Sequence, residues 1–164
     1  MIEIRQAFLS DVSALKEMFK DLGNYHQKLY PEIIKKDCEN RNERELYELI
    51  ADSQSIYVVA DDDDEKVVGF CLATKLKKLE SEQVFERSYI MINDLFVIPE
   101  YRRKGIGKMF IEYVEKIASK LKYDSVEMNC WAKNEEAMAF YKACGYQPLL
   151  VRMTKKPKKN NNRK

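Results

Sequence analysis

The sequence predicts a mixed α/β sheet with helices on its faces, built as one domain. Two observations carry this. Segments with strand alternation and segments with helical spacing follow one another as strand, two helices, three strands, helix, strand, helix, strand, an interleaving that packs helices against a sheet. The 164 residues, 45% of them apolar, can bury one core, and no linker or fixed-period repeat divides them.

The elements follow in order. Ile2 to Phe8 alternates as a strand does. Ser10 is placed to cap a helix whose Val12, Leu15, Phe19 and Leu22 recur at helical spacing, and Gly23-Asn24 supplies its end. A more polar helical stretch runs from about Glu39 to Ala51, carried by Leu46, Leu49 and Ile50. Two β-branched runs, SIYVVA and KVVGFCLAT, flank the acidic Asp61 to Glu65 and read as an antiparallel hairpin. That acidic run reads as a solvated turn rather than a metal or polyamine site, because adjacent exposed carboxylates cost little there. A further strand spans about Ser88 to Val97 and stops at Ile98-Pro99. From Lys104 to Leu121, the residues Ile106, Phe110, Tyr113, Ile117 and Leu121 form one apolar stripe. Ser125 to Trp131 is a strand. Asn134 caps a short helix with Glu135 and Glu136 in its first turn, Gly145 closes it, and Gln147 to Met153 makes the last strand.

Composition excludes several classes. No stretch approaches the roughly 20 apolar residues of a membrane helix, and MIEIRQAF lacks the basic and apolar regions of a secretory signal, so a cytoplasmic location is expected. Cys38, Cys71, Cys130 and Cys144 form no CxxC pair, and His26 is the only histidine. A zinc site and a Ser-His-Asp hydrolase are therefore not expected, and the cysteines read as reduced thiols. The net charge of +2 belongs to the end of the chain: Lys155 to Lys164 holds six of the 29 Lys and Arg residues, leaving 23 in the body against 27 Asp and Glu. The body, residues 1–154, is thus acidic, and residues 155–164 read as a solvated basic tail without a nucleic-acid role.

The chemistry-bearing feature is a strand, then Pro99-Glu100-Tyr101-Arg102-Arg103-Lys104-Gly105-Ile106-Gly107-Lys108, then a helix. Glycines at such a turn let backbone N–H groups approach an anion, and the helix N-terminus adds partial positive charge. Arg102, Arg103, Lys104 and Lys108 reinforce the field, making a pyrophosphate cradle. A dinucleotide fingerprint would need glycine where Phe110 stands; a Walker loop would need glycine at Arg102 and Ser or Thr at Met109. Neither fits. The spacing R-x-x-G-x-G does, and it resembles the coenzyme A pyrophosphate loop of the GNAT superfamily of N-acetyltransferases. One helix and one strand later, Asn134 to Tyr146 is similar to that family's N-x-x-A-x-x-F-Y-x-x-x-G-[FY] element, and IRQAFLSDVSAL resembles its opening strand and helix. The likeness spans residues 2–153.

The resemblance implies the GNAT fold: a mixed, mostly antiparallel sheet of six to seven strands, helices on both faces, and two splayed central parallel strands. It implies acetyl-CoA as co-substrate, no metal, and direct transfer to an amine in a ternary complex. The pantetheine arm would pair with the backbone of Leu95, Phe96 and Val97, where an N–H would stabilise the oxyanion. The segment Arg102, Arg103, Lys104, Gly105, Ile106, Gly107 and Lys108 would hold the pyrophosphate, with Asn134, Ala137 and Tyr141 also on the coenzyme. Tyr141 matches the family tyrosine facing the coenzyme sulfur, and a phenol with an ordinary pKa near ~10 keeps a proton to donate. Asp94 is the candidate base, through a water. NDLFVIPEYRRKGIG and NEEAMAFYKACG resemble the diamine (polyamine and thialysine) acetyltransferases, but Asn93 stands where that group has a carboxylate, and His26 follows Tyr25 where it has another acid. Tyr25, His26 and Asn93 are then candidate acceptor-binding residues. Homodimers are common in the superfamily. The acceptor expected is a small-molecule primary amine; a protein N-terminus or lysine, and a catalytically inactive acyl-CoA-binding module, are the alternatives.

Overall fold

The computed structural model describes residues 1–36 and 41–156. One sheet carries β1 (Glu3–Gln6), β2 (Ser55–Asp61), β3 (Val67–Lys78), β4 (Arg87–Val97) and β5 (Ser125–Met128), in that spatial order. β1 to β4 pair antiparallel, and β4 with β5 parallel. The helices are α1 (Val12–Leu29), α2 (Glu43–Ala51), α3 (Ile106–Leu121) and α4 (Glu135–Ala143).

The two apolar runs of the hairpin are nearly continuous because both sheet faces are covered. Ile56, Val58, Ala60, Cys71 and Ala73 pack with Ile106, Phe110, Ile111 and Val114 of α3. Tyr57, Val59, Phe70 and Leu72 pack with Leu15, Phe19 and Leu22 of α1 and Leu46 of α2. On β4 the parity changes. Ile90 and Ile92 belong to the α3 side, but so does Val97, while Phe96 belongs to the α1 side. The cause is a bulge: Leu72 opposes Asp94 and Ala73 opposes Ile92, so Asn93 is the extra residue. That residue turns Asp94 and Phe96 toward α1 and α2.

β4 and β5 are joined at one end only. Ser88 donates its backbone N–H to Asp124 at 2.6 Å, and Asp124 donates its own to the Ser88 carbonyl at 2.9 Å. Pairing runs from Tyr89–Ser125 to Ile92–Met128 and stops. From Asn93 to Val97, β4 has no strand on that side among the described residues.

Several expectations are corrected. The sheet has five strands among the described residues, not six to seven, and the parallel pair β4–β5 lies at its edge, not at its centre. Gln147 to Met153 forms none of them: Pro148 lacks an amide for a ladder, and Leu149, Leu150, Val151 and Met153 are exposed. β5 ends at Met128, not Trp131, because residues 129–134 turn toward α1. That helix is not stopped at Gly23-Asn24; Gly23 is buried inside it and it continues to Leu29. Ser10 is not its cap. Asp11 accepts the Phe8 amide at 2.7 Å and Arg5 at 2.8 Å instead. α2 begins at Glu43 behind a capping box of Asn42 and Glu45; its expected start at Glu39 lies outside the described residues. The buried stripe of α3 is Ile106, Phe110, Ile111, Val114 and Ala118, with Leu121 exposed.

Candidate active site

The opening between β4 and β5 is where the sequence-predicted residues converge. The turn that leads into it is held from several sides. Tyr101 donates its hydroxyl to Asp62 of the acidic turn. Arg102 donates Nε to the Val97 carbonyl at 2.9 Å, and its guanidinium lies 5.6 Å from the Phe96 ring and 5.9 Å from the Tyr25 ring. Arg102 therefore ties the loop to β4 and α1, rather than standing with the loop's outward charges. Arg103 adopts φ 62° and pairs with Glu136 of α4; Lys104 sits over the Tyr101 ring; Lys108 pairs with Glu112. These exposed pairs are weak, so the cations can be redirected to an arriving anion.

The two glycines differ. Gly105 is the α3 N-cap at φ 84°, and nothing lies within 4 Å of where a Cβ would stand. It needs the left-handed conformation and leaves the backbone open beside the first amides of α3, an arrangement that fits a pyrophosphate. Gly107 serves helix packing instead: a Cβ there would meet the Phe140 ring of α4 at 3.0 Å. Ile106 is buried in the core, so only its amide can face a ligand.

Tyr141 reaches the opening from α4. Its ring packs against Phe140 at 5.2 Å and Tyr146 at 6.5 Å. Burial pushes its hydroxyl well above the ordinary phenol range, and the nearby thiols and the Asp94 carboxylate add to the rise. The phenol is thus protonated throughout the neutral range. Asn134, 8% exposed, uses one oxygen twice: it accepts the Ala137 amide at 3.1 Å, capping α4, and the Tyr25 hydroxyl at 3.0 Å. Asn134 and Ala137 therefore build the α4 start and fasten it to α1.

The other side of the opening is lined from α1 and α2. Trp131 stands 4.7 Å from the Tyr30 ring and 6.5 Å from that of His26. Lys133 donates its amide to the Tyr30 hydroxyl at 2.9 Å. Burial lowers the pKa of His26, partly opposed by the charge of Asp94. Asp94 is paired with Arg41, Nη2 to Oδ2 3.3 Å, and Arg41 lies 5.3 Å from the Phe19 ring. Asn93 accepts the Thr74 hydroxyl at 2.7 Å through its Oδ1, which ties it across to β3. The positions of Arg41 and Trp131 at this opening were not legible from the sequence: one precedes a helix cap, and one sits at a predicted strand end.

No group of three or more His, Cys, Asp and Glu side chains among the described residues is arranged to hold a metal, and no helix there is long and apolar enough to cross a membrane.

A central sheet opened between two parallel strands, with a glycine turn and helix start at its mouth, defines a protein of the acetyltransferase class, and sequence comparison agrees. The model of the Acetyltransferase (GNAT) family matches residues 16–146, and the chain belongs to that family. It is 27% identical over 146 residues to the N-acetyltransferase YhfO of Bacillus subtilis (strain 168), covering 89% of this chain and 90% of that one. Among solved structures, a mutant of the BH1408 protein from Bacillus halodurans superposes with a TM-score of 0.91 at 21% identity, covering 94% of this chain and 99% of the other. The aminoglycoside antibiotic 6'-N-acetyltransferase AAC(6')-Ih from Acinetobacter baumannii gives 0.72 at 19% identity, covering 96% and 99%. At these identities the structural likeness shows the fold.

Proposed function

We propose that this acetyltransferase moves the acetyl group of acetyl-CoA to the amine of a small molecule, by direct attack at the gap between β4 and β5. The observation that carries the reading is the gap itself. A protonated phenol stands on one side of it, and a neutral imidazole with a carboxylate on the other. The coenzyme supplies an activated acyl group when bound. Backbone groups of Leu95, Phe96 and Val97 would receive its extended arm, and the turn from Arg102 to Lys108 its pyrophosphate. Asp94 would draw the acceptor's ammonium in, and His26, held neutral by burial, takes the proton that must leave before attack. Tyr141 supplies the proton for the departing sulfur. Tyr25 and Trp131 shield the opening from the α1 side.

The diamine subtype draws less support. Asn93 is bonded to Thr74, and Arg41 sets a positive charge beside the one carboxylate. Release of free thiol from acetyl-CoA, screened over polyamines, amino acids, aminoglycosides and peptides, tests the proposal. Thiol release that needs an amine supports it. If no amine supports release and acetyl-CoA leaves the melting temperature unmoved, the reading fails.

A further inference from the structure

The α1 side of the opening carries more polar chemistry than proton removal requires. Tyr57, Leu72 and Asp94 are successive partners across β2, β3 and β4, so their side chains form one row on one face. Tyr57 is 3% exposed, and its hydroxyl has no hydrogen-bond partner among the described residues. Buried hydroxyls are almost always satisfied, and an orphan calls for an explanation. At the other end of the row stand a cation and an anion side by side: Arg41 and Asp94, in contact at 3.3 Å, with 31% and 22% of their side chains still reachable from solvent. Phe19 beneath the guanidinium fixes where Arg41 points.

We infer that this row is built for an amine that carries a carboxylate on the same carbon, a free α-amino acid, with Asp94 facing its ammonium and Arg41 and the Tyr57 hydroxyl facing its carboxylate. The inference rests on the acetyl-transfer reading above. An ion pair on the protein is the complement of a zwitterion whose two charges are as closely spaced, and a guanidinium matches a carboxylate in geometry as well as sign. A polyamine would meet Arg41 with the wrong charge. A peptide N-terminus lacks the carboxylate and would leave both Arg41 and Tyr57 unanswered. Burial keeps the Tyr57 hydroxyl protonated; of the charges that act on it, Arg41 favours its ionisation and Asp94 and Asp11 oppose it.

The test compares each of a panel of free L-amino acids with its α-amide, its decarboxylated amine, a dipeptide with the same first residue, and spermidine. All are followed by thiol release from acetyl-CoA. The best amino acid should exceed its own amide in kcat/KM by about 10²-fold or more, because a site built around a polar group rejects the analogue that lacks it. Arg41→Gln should remove that preference, chiefly through a raised KM for the amino acid; Arg41→Lys should restore part of it. Tyr57→Phe should raise KM for the amino acid about tenfold without lowering the melting temperature, since it removes a hydroxyl with no partner among the described residues. If wild-type enzyme uses the amide as well as the acid, or Arg41→Gln slows all acceptors alike, the inference falls and acetyl transfer stands. If no amine is turned over, both fall.

Discussion

At the scale of single residues, the proposed chemistry falls to Tyr141 and His26, whose titration burial shifts in opposite directions. Burial holds the Tyr141 hydroxyl protonated. Tyr141→Phe removes one oxygen and leaves the ring against Phe140 and Tyr146. A general acid contributes about 10²–10⁴-fold, roughly 3–5 kcal/mol of barrier. kcat and kcat/KM should fall together by that factor, with coenzyme affinity and melting temperature nearly constant. Normal turnover with a lower melting temperature would make Tyr141 a packing residue. For His26 the sign follows from its lowered pKa. The unfolded imidazole takes up a proton near the ordinary value of about 6.5, whereas the folded one does so only at lower pH. Folding stability from this group is therefore present above that value and is lost as pH falls through the folded pKa. The acid limb of kcat/KM should likewise lie below the ordinary histidine range. Urea unfolding and rate profiles between pH 5 and 7 on wild type and His26→Gln check both: the variant should lack the loss of stability and the limb.

At the scale of elements, two joints hold the site together. The first is α3 on α4. A Cβ at Gly107 would meet Phe140 at 3.0 Å, so Gly107→Val overpacks a helix contact instead of meeting an anion. The expected cost is about 1–3 kcal/mol, read as a lower melting temperature, with loss of coenzyme binding as a consequence. An unchanged melting temperature with binding abolished would return Gly107 to the anion site. The second joint is Asn134, which caps α4 and receives Tyr25 from α1. Asn134→Ala should cost about 1 kcal/mol for the cap. In a double-mutant cycle with Tyr25→Phe, a coupling of about 0.5–1.5 kcal/mol is expected for the shared hydrogen bond. Strictly additive losses would mean that the bond does not fasten α1 to α4. These joints explain what the sequence could and could not tell. The alternation of β1 to β4, the strand–turn–helix around Gly105 and the Asn134 cap are local, and each appears where its residues predict it. The length of α1 was hidden because tertiary burial of Gly23 overrides its helix-ending tendency. Arg41, Tyr57 and the pairing of Asp94 are products of sheet register and of the bulge at Asn93, which no local pattern announces. The last strand failed because its apolar composition competed with Pro148.

At the scale of the whole molecule, β5 and α4 are joined to the rest of the fold by the short β4–β5 ladder and by the α1 contacts with Asn134, Trp131 and Lys133. A ligand that lies in the gap bridges both parts and binds only where they are correctly set. It should stabilise the fold by RT ln(1 + [L]/Kd), about 2.7 kcal/mol at 100 Kd. The location of that stabilisation is as informative as its size. Backbone amides from Asn93 to Val97, which have no strand neighbour on the β5 side, should exchange hydrogen more slowly with acetyl-CoA bound. Amides from Gly105 to Lys108 should slow as well, because the first N–H donors of α3 have no carbonyl acceptor within the helix. Amides of β1, at the far edge of the sheet, should change only as far as global stability does. A separate cleft of about 440 Å³ lies between α3, β5 and the end of α4, lined by Glu115, Tyr123, Val126 and Tyr146 among others. Hydrogen exchange measured by mass spectrometry with and without saturating acetyl-CoA separates the two places. Protection centred on β4 and the Gly105 turn supports the gap as the coenzyme site. Protection centred on Tyr123 to Val126 and Tyr146, with β4 unchanged, would move the coenzyme to the cleft and remove the basis for placing Tyr141 at its sulfur.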